Sequence, residues 1–409
     1  MLHEPIIGTS GKESRASSSR LPAIVLGGHV TGLGVVRCLG RSGIEAYVAA
    51  APGDYAASSR WATRLPGAPD ESPAGAPLAE FLERLPLERA LLLPCSDNWL
   101  QAVAALPERL HDRFLAPVSP LETLLQFLEK ERFAALVERL DVPHPRTAVV
   151  RQGEDDEDVL ARFDFDARDA RFFLKPSNSQ QFVQRFGVKA LTVRDGVQAR
   201  ARLAEIRTAG ISSMLVQEYV PGPPSAHYFV DGFRGADGRL LGRLARRRIR
   251  MFPRDFGNST YLETVPLEEL GSAPEHLERL LAGVDFRGIF SAEFKRDDRD
   301  DDLKIIEVNT RPWWFVEFAA LAGVNVCELA HREALGAPLE PVPGYAVGAR
   351  CVLPGADIRA YLAQPRESRL RLWDWLRSWR GASHAVFASD DPRPGLLQLK
   401  EVTLRWARR

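Results

Sequence analysis

The chain has 409 residues, 45% of them apolar and 26% charged, the balance of a globular protein with room for two or three domains. Lys plus Arg and Asp plus Glu both number 54, and this formal neutrality gives no support to a nucleic-acid or membrane-surface role. No apolar run approaches the roughly 20 residues of a membrane span, and Cys38, Cys95, Cys327 and Cys351 lack the spacing of a zinc site or a disulfide framework.

Residues 1–20 are Ser-rich and polar with no hydrophobic signal region, and read as a disordered leader. A cytoplasmic enzyme is the default expectation, with oligomeric state left open and a homodimer possible. From Leu21, LPAIVLGGHVTGLG is a buried-type strand followed by a glycine-rich turn, VVRCLGRSG continues as a helix, and IEAYVAA supplies a second strand. Gly28, Gly32 and Gly34 let backbone approach a ligand or let helix pack on strand, but their spacing is not G-x-G-x-x-G. A nicotinamide cofactor therefore rests on very little. A further strand, ALLLPCSDNWL, ends at Cys95-Ser96-Asp97, where Asp97 either contacts a substrate or caps a helix.

Ser119 with Glu122 predicts a capping box, with Pro120 in the first turn of a helix carrying Lys130 in its middle. VPHPRT ends that helix. From Arg171 the pattern is mostly β. Lys175 closes the apolar strand FFLK, and a lysine there must reach water or pair with an anion. In RLLGRLARRRIRMF, the cluster Arg246, Arg247, Arg248 and Arg250 alternates across a strand, so one face presents several guanidiniums. Either they guard an exposed sheet edge or they grip an anion in a cleft.

The stretch Ile289–Arg311, IFSAEFKRDDRDDDLKIIEVNTR, has hairpin grammar. A turn centred on Asp300 sets Glu293 opposite Glu307, and Phe290, Ala292, Phe294, Ile306 and Val308 make one apolar face. Glu293, Glu307 and Asn309 share the other face, with Ile305 as the apolar exception. They are either glutamates on a solvated sheet face or, because facing carboxylates repel, a hard oxygen set for Mg²⁺. The acidic turn Asp297–Asp302 reads as a solvated loop, since it lacks the glycine and distal Glu of a calcium-binding loop. FAALAGVNVCELAHREALG then reads as one helix, and LRLWDWLRSWR near the end as a packing or partner surface.

In order, Lys130, Lys175, QEYVPG and the hairpin with Glu293, Glu307, Asn309 and Arg311 resemble the ATP-grasp superfamily. RRRIRMFPRDFG is similar to a segment of its D-aspartate-ligase-like, predicted carboxylate–amine ligases. The resemblance implies mixed α/β and α+β architecture. Residues 21–118 would form a Rossmann-like pre-ATP-grasp domain and 119–337 a two-lobed ATP-grasp domain, with 141–217 as its lid and 338–409 as a C-terminal extension. It implies that Lys130 and Lys175 hold ATP phosphates and that Gln217, Glu218, Tyr219 and Val220 form a hinge over adenine. Glu293, Glu307 and Asn309 would hold Mg²⁺ or Mn²⁺, Arg311 would steady the transferred phosphoryl group, and Arg248 or Arg250 would grip a substrate carboxylate. The implied reaction joins a small carboxylate to an amine through an acyl phosphate, releasing ADP and phosphate. The alternatives are a carboxylase acting through carboxyphosphate and a nucleotide-binding module without turnover. Pro223-Pro224-Ser225 stands where a ribose-binding acid is usual, and Ser177–Phe186 lacks the glycines usual in a phosphate-covering flap.

Overall fold

A computed structural model describes residues 21–407 apart from 152–155, 166–170, 177–181, 183, 184, 187, 189, 212, 254–256, 366 and 368. The expected leader and most of the expected flap lie outside the described residues. Among those described, no helix is long and apolar enough to cross a membrane.

The chain opens with a parallel sheet of β1 (Ala23–Leu26), β2 (Ala46–Ala49), β3 (Ala62–Arg64), β4 (Ala90–Pro94) and β5 (Phe114–Leu115), in the order β3-β2-β1-β4-β5. β1 and β4 are buried along their whole length, as apolar runs covered on both faces should be. The glycines of the first turn are there for packing. A Cβ on Gly32 would lie 2.4 Å from the Gly27 carbonyl oxygen, and one on Gly34 would lie 2.8 Å from Val316. Helix His29–Arg41 therefore sits tight on helix Val316–Leu321, and both belong to one core with residues of the large sheet.

A four-stranded antiparallel sheet, ordered β6-β9-β7-β8, is built from β6 (Thr147–Arg151), β7 (Phe172–Pro176), β8 (Leu191–Val193) and β9 (Ser213–Glu218). The large sheet holds β10 (His227–Arg234), β11 (Leu240–Phe252), β12 (Asn258–Val265), β13 (Gly288–Arg296), β14 (Leu303–Asn309), β15 (Arg350–Val352) and β16 (Ser383–His384). Its order is β14-β13-β10-β11-β12-β15-β16.

Several expectations are corrected. Ser119 forms no capping box; buried, it accepts from the Arg287 amide at 2.7 Å and donates to the Arg287 carbonyl at 2.9 Å. The expected long helix breaks at Glu129, whose extended backbone separates Leu121–Leu128 from Lys130–Arg139. Lys130 thus opens a helix instead of sitting in the middle of one. Likewise the segment after the hairpin is two helices, Val316–Leu321 and Val326–Ala334, because Gly323 at φ +115° breaks the run. Asp97 is not a cap either, since Ser96 caps helix Asp97–Ala104 by accepting from the Trp99 amide at 3.2 Å.

The C-terminal segment is fastened to the rest by buried charge. Arg37, fully buried, donates to Asp391 at 2.9 Å and to Glu317 at 3.0 Å. Asp357, also fully buried, accepts two bonds from Arg250 and one each from Thr260, Trp375 and Trp379. Trp375 and Trp379 are therefore packing residues, while Trp373 is 79% exposed.

Candidate active site

β13 and β14 pair with Glu293 opposite Glu307 and Ser291 opposite Asn309, as hairpin symmetry predicts. A bulge beyond Glu293 shifts the register nearer the turn, where Phe294 pairs with Ile305 and not with Ile306. Ile305 accordingly joins the core with Phe290, Ala292, Phe294 and Val308. Ile306, expected on that apolar face, instead lines a cavity of about 290 Å³ between the two antiparallel sheets.

The same cavity is walled by Lys130, Lys175, Gln217, Glu307, Asn309 and Asp97. Lys130 Nζ donates to the Pro176 carbonyl at 2.7 Å. Lys175 Nζ donates to Gln217 Oε1 at 2.5 Å, and Gln217 Nε2 donates to Thr147 at 3.0 Å. Burial pulls the Lys175 ammonium down to about 8, against the opposing attraction of Glu307.

The two glutamates differ. Burial alone would raise Glu293, but Arg248, 3.1 Å away, and His227, whose Nδ1 lies 2.6 Å away, outweigh it and bring its carboxyl to about 2. Water reaches Glu307 in the open cleft, yet enclosure by protein and the nearby Glu293 charge raise its carboxyl above the usual range. Asn309 donates to Glu307 at 3.2 Å and accepts from Arg311 at 3.3 Å. Two carboxylates and an amide oxygen suit a hard cation, whose charge would offset the repulsion between Glu293 and Glu307. Among the described residues no three His, Cys, Asp or Glu converge on a metal position. A cation at this pair would therefore complete its shell with phosphate oxygens and water.

The expected hinge residues divide between two faces. Gln217 faces the cavity, whereas the Glu218 carboxylate is engaged by Arg299 on the opposite side, leaving only its backbone for a ligand. Val220 is buried. Tyr219 lines a second hollow of about 360 Å³ with Arg171, His227 and Lys295. Its ring packs edge-on against Phe173 and lies under the charges of Arg171 at 4.6 Å and Lys295 at 4.3 Å.

The arginines of β11 are neither an edge guard nor a shared grip, because β11 lies between β10 and β12. Arg250 is committed to Asp357 at 2.9 and 2.7 Å, which removes it as a grip for a substrate carboxylate. Arg246 is held by Asp231 at 2.5 Å and lies 3.8 Å over the Phe229 ring. Of the three, Arg248 is the one paired with Glu293. The acidic turn also differs from a wholly solvated loop: Asp297 is fully buried and is met by Arg299 and Lys304, while Asp298, Asp300, Asp301 and Asp302 are exposed.

Two contacts escaped sequence reasoning. His227 sits across from Lys295 only because β10 pairs with β13 over more than sixty residues. Arg311 Nε donates to Asp97 at 2.6 Å across 214 residues. Asp97 was marked by its place at a strand end, but nothing local marked its partner.

No family model matches the sequence. D-aspartate ligase of Enterococcus faecium (strain Aus0004) is 24% identical over 255 residues, covering 60% of this chain. The chain spans 59% of the length of that relative. Among solved structures, L-amino acid ligase from Bacillus licheniformis superposes with a TM-score of 0.55 at 14% identity, covering 79% of this chain and 76% of that one. N5-carboxyaminoimidazole synthetase from Staphylococcus aureus, complexed with ADP, gives 0.57 at 12% identity, covering 79% and 80%. The chain therefore shares the fold of these ATP-dependent synthetase and ligase structures.

Proposed function

We propose that the chain is an ATP-dependent ligase joining a small carboxylate to an amine. The observation that carries this reading is one cavity walled by Lys130, Lys175, Asn309 and Glu307, with Glu293 paired to Glu307 across the hairpin, set between two antiparallel sheets. The names of its relatives, D-aspartate ligase and L-amino acid ligase, point the same way.

Lys130 and Lys175 hold the triphosphate of ATP as point charges, with hinge backbone around Gln217–Val220 on the base. Glu293, Glu307 and Asn309 would hold Mg²⁺ or Mn²⁺, which supplies charge neutralisation for the phosphates. A carboxylate oxygen attacks the γ-phosphorus, the bond from that phosphorus to the β–γ bridging oxygen breaks, and ADP leaves. Arg311 and Arg248 bear on the negative charge of the transferred group and the substrate carboxylate. The amine nitrogen then attacks the acyl carbon, the carbon–oxygen bond to phosphate breaks, and the amine loses a proton. No protein nucleophile is required.

The test is ADP and phosphate release from ATP across pairs of carboxylates and amines, each pair repeated with one member omitted. Release that depends on both members supports the ligase. Formation of AMP, or no release with any pair, overturns it. Release driven by bicarbonate without an amine would move the chain to the carboxylase reading, which the likeness to N5-carboxyaminoimidazole synthetase favours.

A further inference from the structure

We propose that Asp97 is a positioning residue that holds the guanidinium of Arg311 in its working orientation. The inference rests on the ligase reading for the role of Arg311, but its geometric part does not.

Asp97 is the first residue of helix Asp97–Ala104, at the carboxyl end of β4 in the parallel sheet. Ser96 already caps that helix, so the Asp97 carboxylate is not needed for capping. It lines the same cavity as Lys175, Glu307 and Asn309, and accepts from Arg311 Nε at 2.6 Å. The other arms of the guanidinium are held as well: Nη1 donates to the Pro312 carbonyl at 3.1 Å and Nη2 to Asn309 Oδ1 at 3.3 Å. A planar fork met on three sides has one orientation, and of these three partners Asp97 is the one that comes from the helix following β4 of the first sheet. Arg311 is in this way tied both to the hairpin glutamates, through Asn309 and Glu307, and, through Asp97 and its helix, to the part of the chain that holds the first sheet.

A purely stabilising role fits poorly. The pair is accessible, with side chains 50% and 18% exposed, and pairs of that kind contribute little to folding. The same two parts of the chain are joined elsewhere by the buried Arg37–Glu317 pair and a shared apolar core. What the Asp97 contact adds is direction. A long, flexible arginine is pinned beside the metal-type ligands, and small misplacements of such groups are expensive in rate.

The full chain is tested as wild type, Asp97→Asn, Asp97→Ala, Arg311→Lys and the double variant Asp97→Asn/Arg311→Lys. With a carboxylate–amine pair that supports turnover, the Asp97 variants should lose about 10- to 100-fold in kcat with the KM for ATP within about twofold. The double variant should be no slower than Arg311→Lys alone. In parallel, the Nε–H signals of ¹⁵N-labelled arginine are recorded, with Arg311→Lys identifying the Arg311 signal. It should exchange slowly in wild type and rapidly in both Asp97 variants. Unchanged kcat, multiplicative losses in the double variant, or an unchanged exchange rate overturns the inference while the ligase reading stands. If wild type turns over no pair, the ligase reading falls, and the exchange rates alone decide whether Asp97 orients Arg311.

Discussion

Two clusters of buried charge lie near β11, and they are treated in opposite ways. Around Asp357 five donors converge on one carboxylate: Arg250 twice, Thr260, Trp375 and Trp379. Every lone pair has a partner, so the cluster has no capacity left for a ligand. Around Glu293 and Glu307 the charges are left open. Glu293 is over-supplied by Arg248 and His227, Glu307 has its carboxyl pushed up, and Lys175 has its ammonium pulled down. Charges completed within the chain build structure, whereas charges left unbalanced around a cavity await a partner with charges of its own.

The sharpest way to break this contrast is to remove one charge from each cluster. Glu307→Gln should lower turnover by about 10²–10³-fold or more while circular dichroism and the unfolding midpoint stay near wild type. Persistence of metal-dependent ATP cleavage in that variant would remove the glutamate pair from the chemistry. Asp357→Ala should do the reverse. Leaving Arg250 buried without its carboxylate should cost about 3–5 kcal/mol in denaturant unfolding, with little change in KM for the variant that remains folded.

A finer comparison sets two arginines of one strand against each other. Arg248→Lys should raise the KM for the carboxylate about tenfold, because it faces Glu293 in the cleft. Arg250→Lys should lower stability and leave that KM within about twofold, since its guanidinium is taken up by Asp357. Equal KM effects would mean that the two arginines are not divided between structure and site.

The smallest expected effect is in pH. Phosphates prefer the charged form of Lys175, whose free ammonium loses its proton near pH 8. ATP affinity should therefore fall as pH rises above about 8, and Lys175→Arg should flatten the decline. The stability sign is opposite: from pH 8 up to the ordinary lysine value the unfolded chain binds the extra proton, so this group's contribution to stability rises with pH over that window. Isothermal titration with a non-hydrolysable ATP analogue and denaturant midpoints across the same pH range separate the two.

How much was legible depended on sequence distance. The facing of Glu293 and Glu307 could be read because a hairpin is a local object whose two strands share one turn. Its bulge could not, since one extra residue on β14 depends on how Ile305 packs under the sheet, and the arithmetic therefore placed Ile306 where Ile305 belongs. Lys175 was visible as a lysine closing an apolar strand. Arg248 and Arg250 could not be told apart, because alternation places side chains on a face but does not say which acid waits there. Asp357 lies 107 residues beyond Arg250. Asp97 drew notice only as a polar residue at a strand end.

The sequence alone determined most of the kinds of element and the facing of one pair of glutamates. Strand alternation, turn residues and the pairing of Glu293 with Glu307 across one turn are short-range properties of the backbone and of residue type, whereas Lys130, Lys175, Asn309 and Arg311 were assigned to one cleft by a resemblance. Only the tertiary structure decided which of those charges are spent and which are available. Arg37, Arg246 and Arg250 found carboxylates in distant segments, and Arg311 found Asp97, through contacts that depend on the packing of three sheets. A buried charge is stabilised by whatever opposite charge the fold brings within a few ångströms, and sequence separation carries no information about that distance.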